Sequence, residues 1–451
     1  MEETKSTTQK GHVYLPALVA AIGGFLFGFD TAVINGAIVF LKRYFTLNTS
    51  QTEFAASSLL LGCVAGAALA GFSSDRFGRK KVLLAAAALF ALSAIGAALP
   101  RTIGEFLTAR VIGGIAIGIA SVLSPVYIAE ISPAAIRGRL VSLNQLAIVI
   151  GILTAFSVNY GLAGIGVNSW RWMFGSAAIP SALFLLALTL VPESPRWLIE
   201  KGHLERAERA LAGIAGSDGA AEEVLRIKAA IAEESTRLFV PSLRKPASLA
   251  VTLAILQQIT GINTIMYYGS LIFLEQAPKQ TDASALLANM TVGAVNLLCT
   301  VAAMFLVDRA GRRPLLLWAC GGMALSLTAL VAGIQLHGPA ALFLIFVLLY
   351  VACFAVGMGP GVWIVMSEVF PTRVRGRAMS VATVCLWAAC LLVTSTFLSL
   401  VNALTISGAF LLYAGISAAA FIFIWRAVPE TKGRTLEEIE RWWSHGGGSS
   451  A

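Results

Sequence analysis

Charged residues are scarce in this sequence. Asp, Glu, Lys and Arg make up 13% of its 451 residues, about half the share usual in a soluble domain. Hydrophobic residues make up 57%, and a soluble core of this length cannot bury so much apolar sequence. Apolar runs of about 20 residues recur along the chain, and each is long enough to cross about 30 Å of hydrocarbon. The composition therefore predicts a polytopic membrane protein.

The residue patterns that carry enzyme chemistry are also lacking. There is no Walker A sequence, no GxSxG, and no GxGxxG following a strand, so neither a nucleotide site nor a nucleophile elbow is expected. The 4 histidines lie scattered in loops or tails, and the 6 cysteines lie inside apolar runs without CxxC spacing. Disulfides and metal sites are therefore not expected. We predict a protein that is not an enzyme and binds no cofactor or metal.

Twelve apolar runs are present, six on each side of a polar segment. The first run contains Asp30 and lacks a small-residue cleavage site, so we interpret it as a retained span and not as a signal peptide. We predict four regions, which are an N-terminal six-helix bundle (13–192), a linker with short helices (193–246), a C-terminal six-helix bundle (247–428) and a tail (429–451). The runs cover about 13–41, 54–72, 82–99, 103–128, 139–162, 171–191, 247–275, 284–307, 314–336, 340–367, 377–402 and 407–428.

The net charge of +9 comes largely from alternate short loops between these runs. Basic residues of short loops stay on the cytoplasmic side, so we expect both termini and the linker to be cytoplasmic. The same rule explains the charge without a nucleic-acid partner. The basic loop residues are Arg76, Arg79, Lys80, Lys81, Arg137, Arg139, Arg309, Arg312, Arg313, Arg373, Arg375 and Arg377.

The two halves of the chain repeat each other. Three charged motifs occur in the same order and at near-constant spacing in both halves, which indicates an internal duplication. Because each half has six spans, both have the same orientation, as in transporters with a midplane site between two bundles. The paired segments are 75–79 with 308–312, 130–139 with 368–377, and 192–193 with 429–430.

These motifs resemble those of the sugar porters of the major facilitator superfamily, most closely the bacterial sugar–proton symporters of the xylose–proton symporter type. The resemblance covers about 13–443 and includes the two DRxGRR-like loops, PESPR at 192–196, the Gln257-Gln258 pair with Gly261 to Asn263, and PETKG at 429–433. It implies an all-α major facilitator fold with twelve transmembrane helices. It also implies a monomeric, multi-pass protein of the cell (inner) membrane.

Asp30 is the most informative single residue. It lies about 12 residues before Lys42, so it sits roughly 18 Å below the end of its helix. Arg110 lies at a similar depth in the fourth run, and charged groups inside a membrane usually mark a substrate or ion pathway. The resemblance places both residues at the proton-coupling pair of the family. The alternative is a static buried ion pair.

A sugar site needs amides that both donate and accept hydrogen bonds, together with apolar surfaces for the C–H faces of the ring. On a helical wheel, Gln257, Asn263 and Tyr267 share one arc while Gln258 falls outside it, and Gly261 offers a place where the helix can loosen. The alternative for each amide is a hydrogen bond between spans. The resemblance adds aromatic contacts, and it is incomplete at Leu386, where relatives commonly carry an amide. The predicted sugar-binding residues are Phe27, Gln145, Gln257, Gln258, Asn263, Tyr267, Asn296, Gly359, Trp363 and Trp387.

The charged loop motifs have a mechanical interpretation. In the family, they form cytoplasmic salt-bridge networks that latch the outward-open state, and a network present in one state shifts a conformational balance. The positive-inside rule explains part of the same residues without any latch. The residues concerned are Asp75, Arg79, Glu130, Arg137, Glu193, Asp308, Arg312, Glu368, Arg375 and Glu430.

The sequence therefore predicts secondary active transport of a monosaccharide, with a hexose favoured and a pentose possible, coupled to proton symport by alternating access. The proton is the only coupling ion expected. One alternative is a proton-independent uniporter. Asp30 argues against it, because facilitative relatives commonly carry an uncharged residue at that position. The other is a sugar sensor that does not transport, and such relatives tend to have long cytoplasmic extensions.

Overall fold

The computed structural model describes residues 2–133, 136–215, 220–232, 244–276, 281–370 and 375–432, nearly all of which are helical. A short 3₁₀-helix covers Ala163–Ile165 and a π-helical turn covers Phe354–Met358. The α-helices are α1 (Glu2–Tyr44), α2 (Thr49–Phe77), α3 (Arg79–Ala98), α4 (Ile103–Ile131), α5 (Arg137–Leu162), α6 (Ser169–Gly175), α7 (Ala178–Leu190), α8 (Pro195–Glu200), α9 (Leu204–Ala215), α10 (Ala220–Ala232), α11 (Arg244–Ile259), α12 (Ile262–Gln276), α13 (Asp282–Ala310), α14 (Arg312–Gln335), α15 (Ala340–Cys353), α16 (Gly359–Val369) and α17 (Arg375–Ala427).

The helices form the twelve predicted spans. Eleven described segments are long and apolar enough to cross a membrane, and the last of them, Ala378–Ala427, has 50 residues. Thr405 interrupts this segment with φ 64° and ψ 166°, so it contains spans 11 and 12. Three spans are built from two helices each: span 6 from α6 and α7, span 7 from α11 and α12, and span 10 from α15 and α16. The helices α8, α9 and α10 lie between the two sets of six spans.

Several helices are longer than the apolar runs that predicted them. The second run covers about 54–72, whereas α2 begins at Thr49 and ends at Phe77. A capping box accounts for the earlier start: the side chain of Asn48 accepts from the Gln51 N–H at 2.9 Å, while the Gln51 side chain accepts from the Asn48 N–H at 3.1 Å. Hydropathy marks the part of a helix within the hydrocarbon, and the caps decide where the helix ends.

Each half packs as a bundle of its own. In the first half, α2 packs on α4 and α1 on α5, while in the second half α14 and α11 pack on α17. The crossing of α2 and α4 is close because both helices carry glycine there: a Cβ added to Gly62 would lie 2.8 Å from the Cα of Gly114. Between the halves, α2 contacts α17, α5 contacts α13, and α1 contacts α12.

The two ends of the molecule differ in chemistry. We call the end that carries Arg79, Glu130, Arg312 and Glu368 the basic end, and the end that carries Arg43 and Asp282 the opposite end. The helices between the bundles begin at the basic end, where the Ser194 Oγ accepts from the Trp197 N–H at 3.3 Å and caps α8. Their apolar faces form a separate small core of Leu198, Ile199, Ala207, Ala210, Leu211, Ala220 and Val224.

Candidate transport site

Asp30 of α1 and Arg110 of α4 face each other in the interior of the first half. Asp30 is 3% exposed and Arg110 is fully buried. Arg110 Nη2 donates to the main-chain oxygen of Asp30 at 2.9 Å, whereas Arg110 Nη1 lies 3.9 Å from Asp30 Oδ1, which is beyond hydrogen-bond distance. Asp30 Oδ2 is buried and has no hydrogen-bond partner among the described residues. The guanidinium is thus fixed by the backbone and only loosely by the carboxyl group.

Span 7 breaks where the sequence predicted that it could loosen. Gly261 has φ +91°, a conformation that other residues rarely adopt, and it separates α11 from α12. The break brings three amides into one hydrogen-bonded chain. Asn263 Nδ2 donates to Gln258 Oε1 at 2.5 Å, Gln258 Nε2 to Gln257 Oε1 at 3.1 Å, and Gln257 Nε2 to the carbonyl of Met358 at 2.8 Å.

The amide chain ends on a disturbed part of span 10. Gln257 Nε2 also lies 3.0 Å from the carbonyl oxygen of Gly359, directly after the π-helical turn and beside Pro360. Proline removes a main-chain donor, and π-helical turns occur frequently at functional sites. Span 10 is therefore irregular at this point, and its carbonyls are available to polar side chains.

Aromatic residues line the boundary between the halves. The rings of Phe27 and Trp387 lie 5.3 Å apart at an interplanar angle of 59°, and Trp387 Nε1 donates to the Ser121 Oγ at 3.3 Å. Trp387 of span 11 therefore touches spans 1 and 4 of the other half. Trp363 is half-buried on α16.

The remaining predicted sugar residues have different surroundings. Tyr267 is 2% exposed and forms a side-chain hydrogen bond with Cys390, which also accepts from Asn263 Nδ2 at 3.1 Å. Tyr267 thus joins the amide chain through a cysteine. Gln145 of α5 is half-buried, and Asn296 of α13 is 6% exposed. Neither belongs to the hydrogen-bonded chain on span 7.

The charged motif of the first half forms a compact network at the basic end. Arg79 Nη2 lies 3.0 Å from Glu130 Oε1, and Arg79 Nη1 lies 3.4 Å from Asp75 Oδ1. Glu130 Oε2 accepts from the Ser194 Oγ at 2.5 Å. Glu193 accepts from the Lys80 N–H at 3.0 Å, at the start of α3, where a carboxylate is favoured by the helix dipole.

The second half repeats the main contacts of this network at the matching positions. Arg312 Nη2 lies 3.1 Å from Glu368 Oε1, and Glu368 Oε2 accepts from the Thr431 Oγ1 at 2.6 Å. Glu430 accepts from the N–H groups of Arg312 and Arg313, each at 3.1 Å. The sequence repeat is therefore also a repeat of geometry. In both networks these contacts join helices of the same half.

The described contacts do not include all the predicted network residues. Arg137 is exposed at the first position of α5. The side chains of Asp308 and Arg375 lie outside the described part of the structure.

The polar contacts between the halves cluster toward the opposite end, and the sequence reasoning missed them. Asn35 of span 1 donates to the carbonyls of Ile265 and Met266 on span 7, both at 2.9 Å. Its Oδ1 accepts from the Ser270 Oγ at 2.7 Å. Arg43 pairs with Asp282, with Nη2 2.9 Å from Oδ1.

A buried glutamate makes a further contact of this group. Glu53 of span 2 accepts from the N–H and the Oγ of Ser399 on span 11 at 2.6 and 2.7 Å. Asn35 had a usable signal, because it is an amide within the first apolar run. Glu53 stands directly before the second run, where a charge is ordinary and gives no signal. Together these contacts hold the halves against each other at the opposite end.

Comparisons with known proteins agree with this architecture. A family model described as "Sugar (and other) transporter" matches residues 16–443. The D-xylose-proton symporter of Escherichia coli (strain K12) is 39% identical over 473 residues, covering 96% of each chain. The glucose transport protein of Synechocystis sp. is 39% identical over 464 residues, covering 97% of this chain and 98% of the relative.

A solved structure gives the same result. The xylose transporter XylE from E. coli, in a partially occluded inward open conformation, superposes with a TM-score of 0.84 at 37% identity, covering 94% of this chain and 99% of XylE. The chain belongs to the sugar transporter family of the major facilitator superfamily. Its members are transporters and not enzymes.

Proposed function

We propose that this protein is a monosaccharide–proton symporter of the cell (inner) membrane that works by alternating access. The observation that carries the proposal is the buried pair of Asp30 and Arg110, in which the arginine is anchored on a main-chain oxygen at 2.9 Å and the carboxyl group lies 3.9 Å away. The D-xylose-proton symporter, 39% identical over nearly the whole chain, supports the same coupling ion.

The proposed coupling step is protonation of Asp30. A buried arginine that loses its only partner is strongly destabilised. The bond from Arg110 to the Asp30 carbonyl does not depend on the carboxyl group and, together with the ring of Phe174 5.0 Å from the guanidinium, offsets part of this cost. Asp30 then binds a proton when it faces one side of the membrane and releases the proton on the other, while Arg110 stays in place. The unpartnered Oδ2 of Asp30 supports this role.

The proposed sugar site lies on span 7 between the amide chain and the aromatic pair. Hydroxyl groups of the sugar would replace the bonds that Gln257, Gln258 and Asn263 now make to one another, so that the amides remain satisfied. Phe27 and Trp387 would cover a C–H face of the ring. Monosaccharide is the substrate class we infer, and the preference for a hexose over a pentose stays a prediction, since the relatives include a xylose symporter and a glucose transport protein.

The contacts between the halves support assigning this conformation to the state of the transport cycle that is closed on the outer side. With the basic end in the cytoplasm, as the positive-inside rule predicts, the contacts at the opposite end close the outer side. In the outward-open state, the Arg79 network and the Arg312 network would each contact the other half and latch the basic end. That latch remains a proposal, because the contacts described for both networks lie within one half.

Uptake into proteoliposomes tests the proposal. Purified protein would be offered labelled D-xylose, D-glucose and L-arabinose, each with and without an inward proton gradient. A symporter accumulates its sugar above the external concentration only with the gradient. Equal internal and external concentrations under both conditions would instead identify a uniporter, and binding without uptake would identify a sensor.

A further inference from the structure

Glu53 is a buried carboxylate for which neither proton coupling nor sugar binding has a use. It lies in the second turn of α2 and is 4% exposed. Carboxylates are rarely buried to this degree without a partner. Here both oxygens are occupied, one by the main-chain N–H of Ser399 at 2.6 Å and the other by the Ser399 hydroxyl at 2.7 Å.

The partner of Glu53 belongs to the other half of the molecule. Ser399 lies on span 11, so the two hydrogen bonds join the bundles across the interface between α2 and α17. Asn402 of span 11 and Thr49 of span 2 meet 3.5 Å apart about one turn further along. The contact is therefore part of a seam between the halves at the opposite end.

Other charged groups described near this end have partners of their own or face solvent. Arg43 pairs with Asp282, Arg171 donates to the carbonyl of Ala98, and Glu105 accepts from the Arg101 N–H. Lys42 is exposed. The Tyr268 hydroxyl of span 7 is also engaged, because it donates to the carbonyl of Thr394 at 2.7 Å.

We propose that Glu53 is a positioning residue for transport, which clasps span 2 to span 11 and sets the balance between the states closed at the opposite end and open there. Hydrogen bonds to a charged acceptor are about twice as strong as neutral ones. These hydrogen bonds stabilise only the state in which they form. The equilibrium between the two states therefore shifts by the whole of their net free energy. This inference rests on the proposed function for its transport consequence, but the clasp itself does not require a sugar.

The first test uses Glu53→Ala, with Glu105→Ala as the matched control, since Glu105 is an exposed carboxylate at the same end that contacts its own half. Hydrogen exchange of the purified protein should rise in Glu53→Ala around residues 396–405. It should fall at the basic end around 122–133 and 359–370, because that end closes as the other opens. Faster exchange at the opposite end alone, or a profile like that of Glu105→Ala, would overturn the proposal.

A transport readout separates the clasp from a merely structural role. The apparent affinity for the sugar rises with the population of the state that binds it, so a variant that populates the state open at the opposite end should show a KM for uptake about five-fold lower. The same change should lower kcat, because the return step is disfavoured. A variant that is only destabilised would lose kcat without a lower KM.

Two further variants sharpen the test. Glu53→Gln keeps the shape and can bond both Ser399 groups without charge, so it should fall between wild type and Glu53→Ala. Glu53→Ala with Ser399→Ala should be no worse than Glu53→Ala alone, because the two residues act as one pair. Additive effects would contradict the clasp. If hydrogen exchange shifts as expected and no sugar is transported, the clasp stands and the proposed function fails.

Discussion

Individual residues account for the coupling that we propose, and Asp30 is the clearest case. Its carboxyl group is buried beside Arg110 without a direct hydrogen bond to the guanidinium. Asp30→Asn cannot exchange a proton, so it should still exchange labelled for unlabelled sugar across a membrane but should not accumulate it. Counterflow in proteoliposomes measures the first property. Glu275→Gln, a change at an exposed carboxylate on α12, is the control and should leave both properties intact.

Trp387 allows a second prediction at this scale. It contacts Phe27 with its ring and Ser121 with its N–H. Trp387→Phe keeps an aromatic ring but loses the hydrogen bond to Ser121, which should lower the free energy of unfolding by about 1 kcal/mol and leave sugar binding nearly unchanged. Trp387→Ala should weaken sugar binding as well, because the aromatic surface is lost. Equilibrium competition with a labelled sugar measures binding by both variants, and equal affinity of Trp387→Ala and wild type would remove Trp387 from the site.

The residues that the sequence singles out most clearly share one property, which is that they violate the apolar pattern around them. Asp30 stands in the middle of an apolar run, and Arg110 stands at a comparable depth in another. Glu53 could not be found in the same way because it lies at the edge of its run, where a charge is ordinary. Its burial depends on span 11, which is more than 300 residues away in the chain.

At the scale of helices, the broken spans decide which side chains reach the site. Gly261→Ala should destabilise the protein by about 1–2 kcal/mol, because the residue must adopt a left-handed conformation. The added Cβ would also lie 2.5 Å from the ring of Tyr413. We expect a lower melting temperature together with weakened sugar binding.

Gly415→Ala is the matched control for this prediction. A Cβ at Gly415, in the same half, meets nothing within 4 Å, so thermal unfolding and sugar binding should be unchanged or slightly improved. Similar losses in both variants would show that the break at Gly261 has no special role.

The breaks themselves were only partly predictable. Glycine and proline signal the irregularities at Gly261 and Pro360, because each has a known effect on a helix. Thr405 carries no such signal, and only hydropathy indicates the gap between runs 11 and 12. In the structure its Oγ1 accepts from the Gly408 N–H at 3.4 Å, so it caps span 12 as threonine does at other helix starts.

The whole molecule is a pair of similar bundles, and the polar contacts described between them cluster toward the opposite end. Replacing Thr49 and Asn402 with cysteine, and joining them with a short thiol cross-linker, should fix the opposite end closed and abolish transport until the linker is reduced. The control variant has cysteine at Arg101 and Glu105, which lie within one half. It should continue to transport sugar with the linker in place. Transport by the first cross-linked protein would show that this seam does not open.

The duplication was evident from the sequence because the charged motifs repeat in order. The networks of Arg79 with Glu130 and of Arg312 with Glu368 follow from it directly. The sequence did not predict which end of the molecule is closed, because the same sequence specifies contacts between the halves for more than one state. Which set of contacts forms depends on small differences in free energy between these states.

Sugar-driven proton uptake tests the central claim most directly. Proteoliposomes without any imposed gradient would receive a transported sugar on one side, while a pH-sensitive dye reports protons on both. A proton carried with each sugar corresponds to about 2.3 kcal/mol per 100 mV, which also predicts sensitivity to the membrane potential. We expect the external medium to become alkaline with the wild-type protein and not with Asp30→Asn. Proton movement of equal size in Asp30→Asn would contradict the account.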